Sequence, residues 1–100
     1  LGKVMSAGVL LLAAGTKGRR RIGKNCRVML HGVTSGQHGN ISDLENEMGE
    51  ARWTQDRLIA CLIEETKMTK RVLKKILLKR MNVYFTAEEA VDLGIADEII

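Results

Sequence analysis

Apolar and polar positions alternate with two different rhythms along this chain. Residues 6–14 are small and apolar on every side, which predicts a short buried helix opening near Ser6 and closing before Gly15. Gly15-Thr16-Lys17-Gly18 reads as a turn. Residues 19–22 and 26–31 predict two short strands, the second with Val28 and Leu30 on one side and Met29 and His31 on the other. Gly32 to Gly39 holds too many glycines for a regular element and reads as a loop. Beyond it the period lengthens. Ser42-Asp43-Leu44-Glu45 has the spacing of a capping box, and Leu44, Met48, Ala51, Leu58 and Leu62 then recur at helical intervals to about Thr66. Thr69 is placed to cap a second helix through Val72, Ile76 and Leu77. Residues 81–85 predict a strand, and Thr86-Ala87-Glu88-Glu89 a second capping box whose short helix stops at Gly94. Residues 95–100 return as an extended end.

Composition limits what such a chain can do. One hundred residues make one domain at most, and 45% hydrophobic against 28% charged residues excludes disorder throughout. Sixteen Lys+Arg against twelve Asp+Glu give +4, but no acid precedes Asp43. The run Lys17-Gly18-Arg19-Arg20-Arg21 and the stretch Lys67, Lys70, Arg71, Lys74, Lys75, Lys79 and Arg80 could contact phosphates. The three aromatics, Trp53, Tyr84 and Phe85, do not interleave with them, so both read as solvated surface and no nucleic-acid partner is expected. The longest apolar run, Val9 to Ala14, is too short to cross a bilayer, and no membrane partner is expected. Cys26 and Cys61 form no CxxC and no Cys/His cluster, which points to neither a metal nor a disulfide framework, with no cofactor and a cytoplasmic location as the expectation. The chain starts with Leu, and its best chemical motif begins almost at once. A piece of a longer protein is expected.

Two residues stand out for chemistry. Ser6 opens the apolar helix, where unpaired amides favour negative charge and help a hydroxyl act as a nucleophile. The Ala7 amide beside it is placed to donate to an oxyanion. By itself, a serine in this position is ordinarily an N-cap, and Val4 stands where a GxSxG elbow would have its first glycine. His31 ends a strand ahead of a Gly-rich loop, where functional residues are often carried, and could act as a general base, although on the local sequence alone a strand-end histidine bonded to a nearby carbonyl fits better. His38, inside the loop, reads as solvated.

Taken together, the segments resemble a known family. Gly2-Lys3-Val4-Met5-Ser6-Ala7-Gly8-Val9-Leu10-Leu11-Leu12-Ala13-Ala14-Gly15-Thr16-Lys17-Gly18 is similar to the nucleophile segment of the ClpP serine peptidases, G-x-A-A-S-M-G-A-x-L-L-A-A-G-x-x-G. Asn25-Cys26-Arg27-Val28-Met29-Leu30-His31 resembles that family's N-A-R-I-M-I-H, at the family's usual interval of 25 positions from Ser6 to His31. Gly36 to Glu45 is similar to the entry of the family's long handle helix, and Tyr84 to Asp97 to its F-L-S-A-E-E-A-x-E-Y-G-L-I-D close.

The resemblance implies an α/β fold of repeated ββα units related to the crotonase architecture, with residues 1–100 forming the C-terminal part of a single domain. It implies Ser6 as nucleophile, His31 as general base and then acid, Ala7 as an oxyanion donor, and Gly32, Val33 and Thr34 as backbone partners of an extended substrate. The implied activity is that of an ATP-dependent, self-compartmentalising serine endopeptidase. Its subunits form heptameric rings stacked as a tetradecamer, fed with unfolded polypeptide by an AAA+ Clp ATPase of the ClpA, ClpX or ClpC type. Three departures qualify this. The family's N-terminal half has no counterpart in these residues, so this chain alone is expected to be incomplete as an enzyme. The family's triad Asp matches Asn82, and its H-Q-P is His31-Gly32-Val33. Asn82 motivates an alternative, a catalytically weak or inactive ring subunit. A crotonase-type acyl-CoA enzyme would share the architecture but leave the interval between Ser6 and His31 unexplained.

Overall fold

The computed structural model describes residues 2–5, 7–32, 38–78 and 82–100. In chain order these form strand β1 (Gly2–Met5), helix α1 (Ala7–Ala13), strands β2 (Arg21–Ile22) and β3 (Cys26–Leu30), helices α2 (Ile41–Glu65) and α3 (Lys70–Leu77), strand β4 (Val83–Thr86), helix α4 (Ala87–Asp92) and strand β5 (Glu98–Ile99). The result is a mixed α/β structure. The expected elements are present within a few residues of their bounds. β1 is an addition, since four residues are too few to display a period.

β3 is the middle strand of a three-stranded sheet. It runs parallel to β1, with Met5 opposite Met29, and antiparallel to β4, with Leu30 opposite Val83. Leu30 with Val83 is the last pair of that second ladder, so His31 and Asn82 are the next residues beyond it on the two chains. A separate pair joins β2 to β5 in parallel. Val28 and Leu30 are buried on the core side of β3 among Val9, Ala13, Ile59, Leu62, Leu73, Leu77, Ala90 and Ile95. Met29, on the opposite side of the strand, is buried as well.

Only the end of α2 reaches this core, through Ile59 and Leu62. Its first half does not: Ile41 is 74% exposed, Met48 56% and Trp53 59%. The stripe begun by Leu44 and Met48 is therefore a solvent-facing stripe, in contrast to the core face its period suggests. The cap also lies earlier than Ser42. Asn40 is the N-cap, its side chain accepting from the Asp43 amide while Asp43 accepts from the Asn40 amide. Both pairs have the same spacing, and the Asn40 box carries the helix two residues further. Thr69 and Thr86 cap α3 and α4 as expected, Thr86 through a full box with Glu89. Helix α1 is not apolar-packed all round, because its two turns or so meet the sheet and α2 on one side and leave Leu11 78% exposed on the other. At Gly94, φ is +78° and a Cβ would lie 2.8 Å from the Lys67 amide nitrogen, so only glycine closes this turn.

The basic turn is where the structure departs furthest from the solvated reading. Arg20 is 7% exposed. Its Nε and Nη2 donate to the two carboxylate oxygens of Asp97, each at 2.8 Å. Its Nη1 donates to the carbonyl oxygens of Ala13, at 3.0 Å, and Glu65, at 2.9 Å. Those carbonyls are the unpaired last groups of α1 and α2, so one guanidinium closes two helix ends and an acid near the C-terminus. Asp97 also accepts from the Gly18 and Arg20 amides. Lys17 reinforces the same corner, donating to the Ala13 carbonyl and pairing with Glu65. By contrast, Lys67, Lys70, Arg71, Lys74 and Lys75 are exposed as expected, while Lys79 and Arg80 lie outside the described residues. Among the described residues no helix is long and apolar enough to cross a membrane.

Three outcomes are expected. Arg20→Ala leaves two helix ends and Asp97 without their donor and lowers the unfolding free energy by about 3 kcal/mol, read from the urea midpoint. The hydrogen bonds from Arg20 hold the Asp97 carboxyl well below its ordinary value of 3.8. A carboxyl lowered in the native state adds stability that is complete above the unfolded value and is lost as pH falls toward the native one. The melting temperature therefore drops as pH is taken below 3.8, and Asp97→Asn flattens that slope. Thirdly, a His31→Cys/Asn82→Cys pair, in a Cys26→Ser/Cys61→Ser background, crosslinks under mild oxidation, because facing antiparallel positions lie within disulfide reach. A ladder slipped by one residue leaves the two thiols unjoined.

Candidate active site

The sheet brings three chain ends to one edge. β1 and β3 point the same way, so the chain leaves Met5 and Leu30 at the same end of the sheet. β4 runs the opposite way, so it enters the sheet there, just after Asn82. Neighbouring strands lie about 4.8 Å apart. Segments separated by dozens of residues along the chain are therefore adjacent in space.

Ser6 itself lies outside the described residues. Its chain neighbours are Met5, which ends β1, and Ala7, which opens α1. As the first residue of that helix, Ala7 has a backbone N–H with no partner inside the helix. His31 follows β3 directly and is half-buried. Its Nδ1 lies 2.6 Å from the carbonyl oxygen of Gly32. Because a carbonyl can only accept, Nδ1 carries the hydrogen of this bond and Nε2 keeps its lone pair. A ring in that state can receive a proton at Nε2.

Gly32 is held from behind. A Cβ here would lie 2.5 Å from the carbonyl oxygen of Leu77, at the end of α3, and 3.2 Å from Oε1 of Gln55 on α2. The backbone approaches these helices more closely than any side chain would permit. Val33 and Thr34 lie outside the described residues. Asn82 precedes β4 and is exposed, as is His38. Asp43 is committed to the α2 cap, and Glu45 is exposed in the same turn.

Other groups sit apart from this edge's chemistry. Arg27 and Tyr84, diagonal neighbours across the β3–β4 ladder, make a cation–π contact, with the guanidinium 5.7 Å from the ring centre. Cys26 and Cys61 are half-buried free thiols. Among the described residues no cluster of three His, Cys, Asp or Glu is placed to hold a metal ion. An open cleft of about 430 Å³ lies between α2 and α3, lined by Asp56, Ile59, Ala60, Ile63, Lys70 and Lys74, and none of the residues singled out for chemistry reaches it. The carbonyl bond at His31 is the local reading of that residue, with Gly32 now identified as the acceptor. The burial of Arg20 escaped the sequence reading, because its acidic partner is 77 positions away.

Along residues 1–100 the chain matches the Clp protease family. It is 35% identical over 100 residues to the ATP-dependent Clp protease proteolytic subunit 4 of Rhodococcus jostii (strain RHA1), an alignment that takes in all of this chain and 50% of that protein. The chain thus spans about half the length of the curated relative it matches. A match along its whole length, together with a relative at this level of identity, establishes that the chain belongs to the Clp protease family.

Proposed function

We propose that this chain is the C-terminal part of a Clp-type serine endopeptidase subunit, with Ser6 as nucleophile and His31 as general base. The reading is carried by one observation, the shared sheet edge at which β1 and β3 end and β4 begins. Ser6 comes one residue after Met5, and His31 two residues after the Met29 that Met5 faces. Neighbouring strands lie about 4.8 Å apart, so two residues that directly follow paired strand ends are candidates to meet, and this supports pairing Ser6 with His31.

The chemistry follows from those groups. Nε2 of His31 takes the Ser6 proton as the oxygen attacks the peptide carbonyl carbon. The Ala7 amide, unpaired at the start of α1, donates to the oxyanion of the tetrahedral intermediate. The C–N bond then breaks, the imidazolium returns its proton to the leaving amine, and an acyl-Ser6 ester remains. Water, deprotonated by the same imidazole, hydrolyses the ester and restores the hydroxyl. Gly32, Val33 and Thr34 line the substrate through backbone hydrogen bonds, as strand addition does elsewhere. Helix α2 serves as the handle between stacked heptameric rings, and an AAA+ Clp ATPase supplies unfolded polypeptide to the enclosed sites.

The second reading, a ring subunit with weak or no activity, is favoured by Asn82. An asparagine at this position cannot offset the charge of an imidazolium as a carboxylate does, and in one well-studied serine protease the Asp-to-Asn change lowers kcat about 10⁴-fold.

One experiment separates the readings. The assembled full-length protein is incubated with a fluorophosphonate probe and a fluorogenic peptide. The peptidase reading expects covalent labelling that disappears in Ser6→Ala and slows by about 10³-fold or more in His31→Ala, with peptide turnover lost in both. An assembled ring that neither labels nor turns over peptide is a structural subunit.

A further inference from the structure

We infer that the backbone carbonyl of Gly32, and not the side chain of Asn82, sets the tautomer of the His31 ring. The inference rests on His31 being the general base proposed above, and concerns what orients it.

A serine-activating imidazole needs one ring nitrogen protonated and held, so that the other is free to accept. A group that holds it in that form must accept the ring hydrogen, and one that only accepts fixes the tautomer without ambiguity. A carboxylate qualifies, and so does a peptide carbonyl. A primary amide can accept through its oxygen, as in Cys–His–Asn triads, but selects the tautomer less firmly because its NH₂ can bond to the other one. Asn82 directly precedes β4, one step beyond the last ladder pair as His31 is on β3, and it is an exposed amide. Among the described residues, the acceptor-only group bonded to the ring is the Gly32 carbonyl, 2.6 Å from Nδ1.

That carbonyl is positioned by packing. The Gly32 backbone is seated against the Leu77 carbonyl at the end of α3 and Gln55 on α2, with room for no Cβ. The peptide that follows His31 is thereby fixed relative to two helices, one of which, α3, contributes the buried Leu73 and Leu77 to the core. On the other side, β3 fixes the histidine itself through the buried Val28 and Leu30. Ring and acceptor are each held by different elements, so their bond does not depend on an exposed side chain. Gly32 is thus a positioning residue acting through His31.

The test uses full-length protein labelled with ¹⁵N-histidine and studied by magic-angle-spinning NMR at a pH where imidazole is neutral, with His31→Gln identifying the signal. The expected spectrum has a protonated, hydrogen-bonded Nδ1 and an unprotonated Nε2, and it persists in Asn82→Ala. In Gly32→Ala the Nδ1–H population falls, and fluorophosphonate labelling at Ser6 slows by about tenfold or more, in line with losing a hydrogen bond to a group that becomes charged. A wild-type ring protonated at Nε2 overturns the inference, and so does loss of the Nδ1–H signal in Asn82→Ala. Should Gly32→Ala fail to fold, the wild-type and Asn82→Ala spectra still decide. A held Nδ1–H in a protein whose Ser6 never labels supports this assignment of the ring while defeating the peptidase reading.

Discussion

Strand β3 constrains everything that happens at the candidate site, because it is paired on both sides and in opposite senses. Its parallel ladder to β1 and antiparallel ladder to β4 are locked by the burial of Val28 and Leu30, which a shift of one residue would turn away from the core. The edge where His31 emerges is then also where β1 ends and β4 begins. Nothing in the local sequence of any one of the three segments encodes this meeting. It is a property of sheet topology, and the histidine's neighbours are inherited from it.

A second constraint secures the far end of the domain. Arg20 spends its donors on Asp97 and on the last carbonyls of α1 and α2, groups that would otherwise be unpaired. A buried cation is costly unless every donor is used, and here the partners come from three separate parts of the chain. The same corner closes the β2–β5 pair, where the Asp97 and Glu98 amides donate to the Arg20 carbonyl. Charge, helix termini and a short sheet are satisfied by one arrangement.

These two features explain what could be read from the sequence and what could not. Capping by Thr69 and Thr86 was legible, because a cap and the amide it accepts are three positions apart. The same local logic placed the α2 cap two residues late, since Asn40 with Asp43 and Ser42 with Glu45 satisfy the identical spacing. The helical period of α2 was legible too, but a period states only that one side is apolar and cannot say whether anything lies against it. The interval between Ser6 and His31 pointed to the site through resemblance, and the carbonyl bonded to His31 belongs to the next residue in the chain, whereas the distant partners of Arg20, Glu65 and Asp97, depend on contacts that no run of neighbouring residues reveals. Gly32 and Asn82, each a departure from the family pattern when taken singly, form a consistent pair once the carbonyl bond is seen. Where the backbone supplies an acceptor, position 82 is released from having to supply one.

Helix α2 is anchored like a cantilever. At roughly 1.5 Å per residue its 25 residues reach about 37 Å, yet its buried side chains, Ile59 and Leu62, lie in the last third. Toward Ile41 the helix relies on its own backbone ladder and on the Asn40 box, so its resistance to local opening declines from root to tip. Small rotations at the root, where Glu65 meets Arg20, translate into the largest displacements at the tip. The corner formed by Arg20 therefore acts as the hinge mount of a lever, and the stiffness of that mount governs how accurately the distant apolar stripe is aimed.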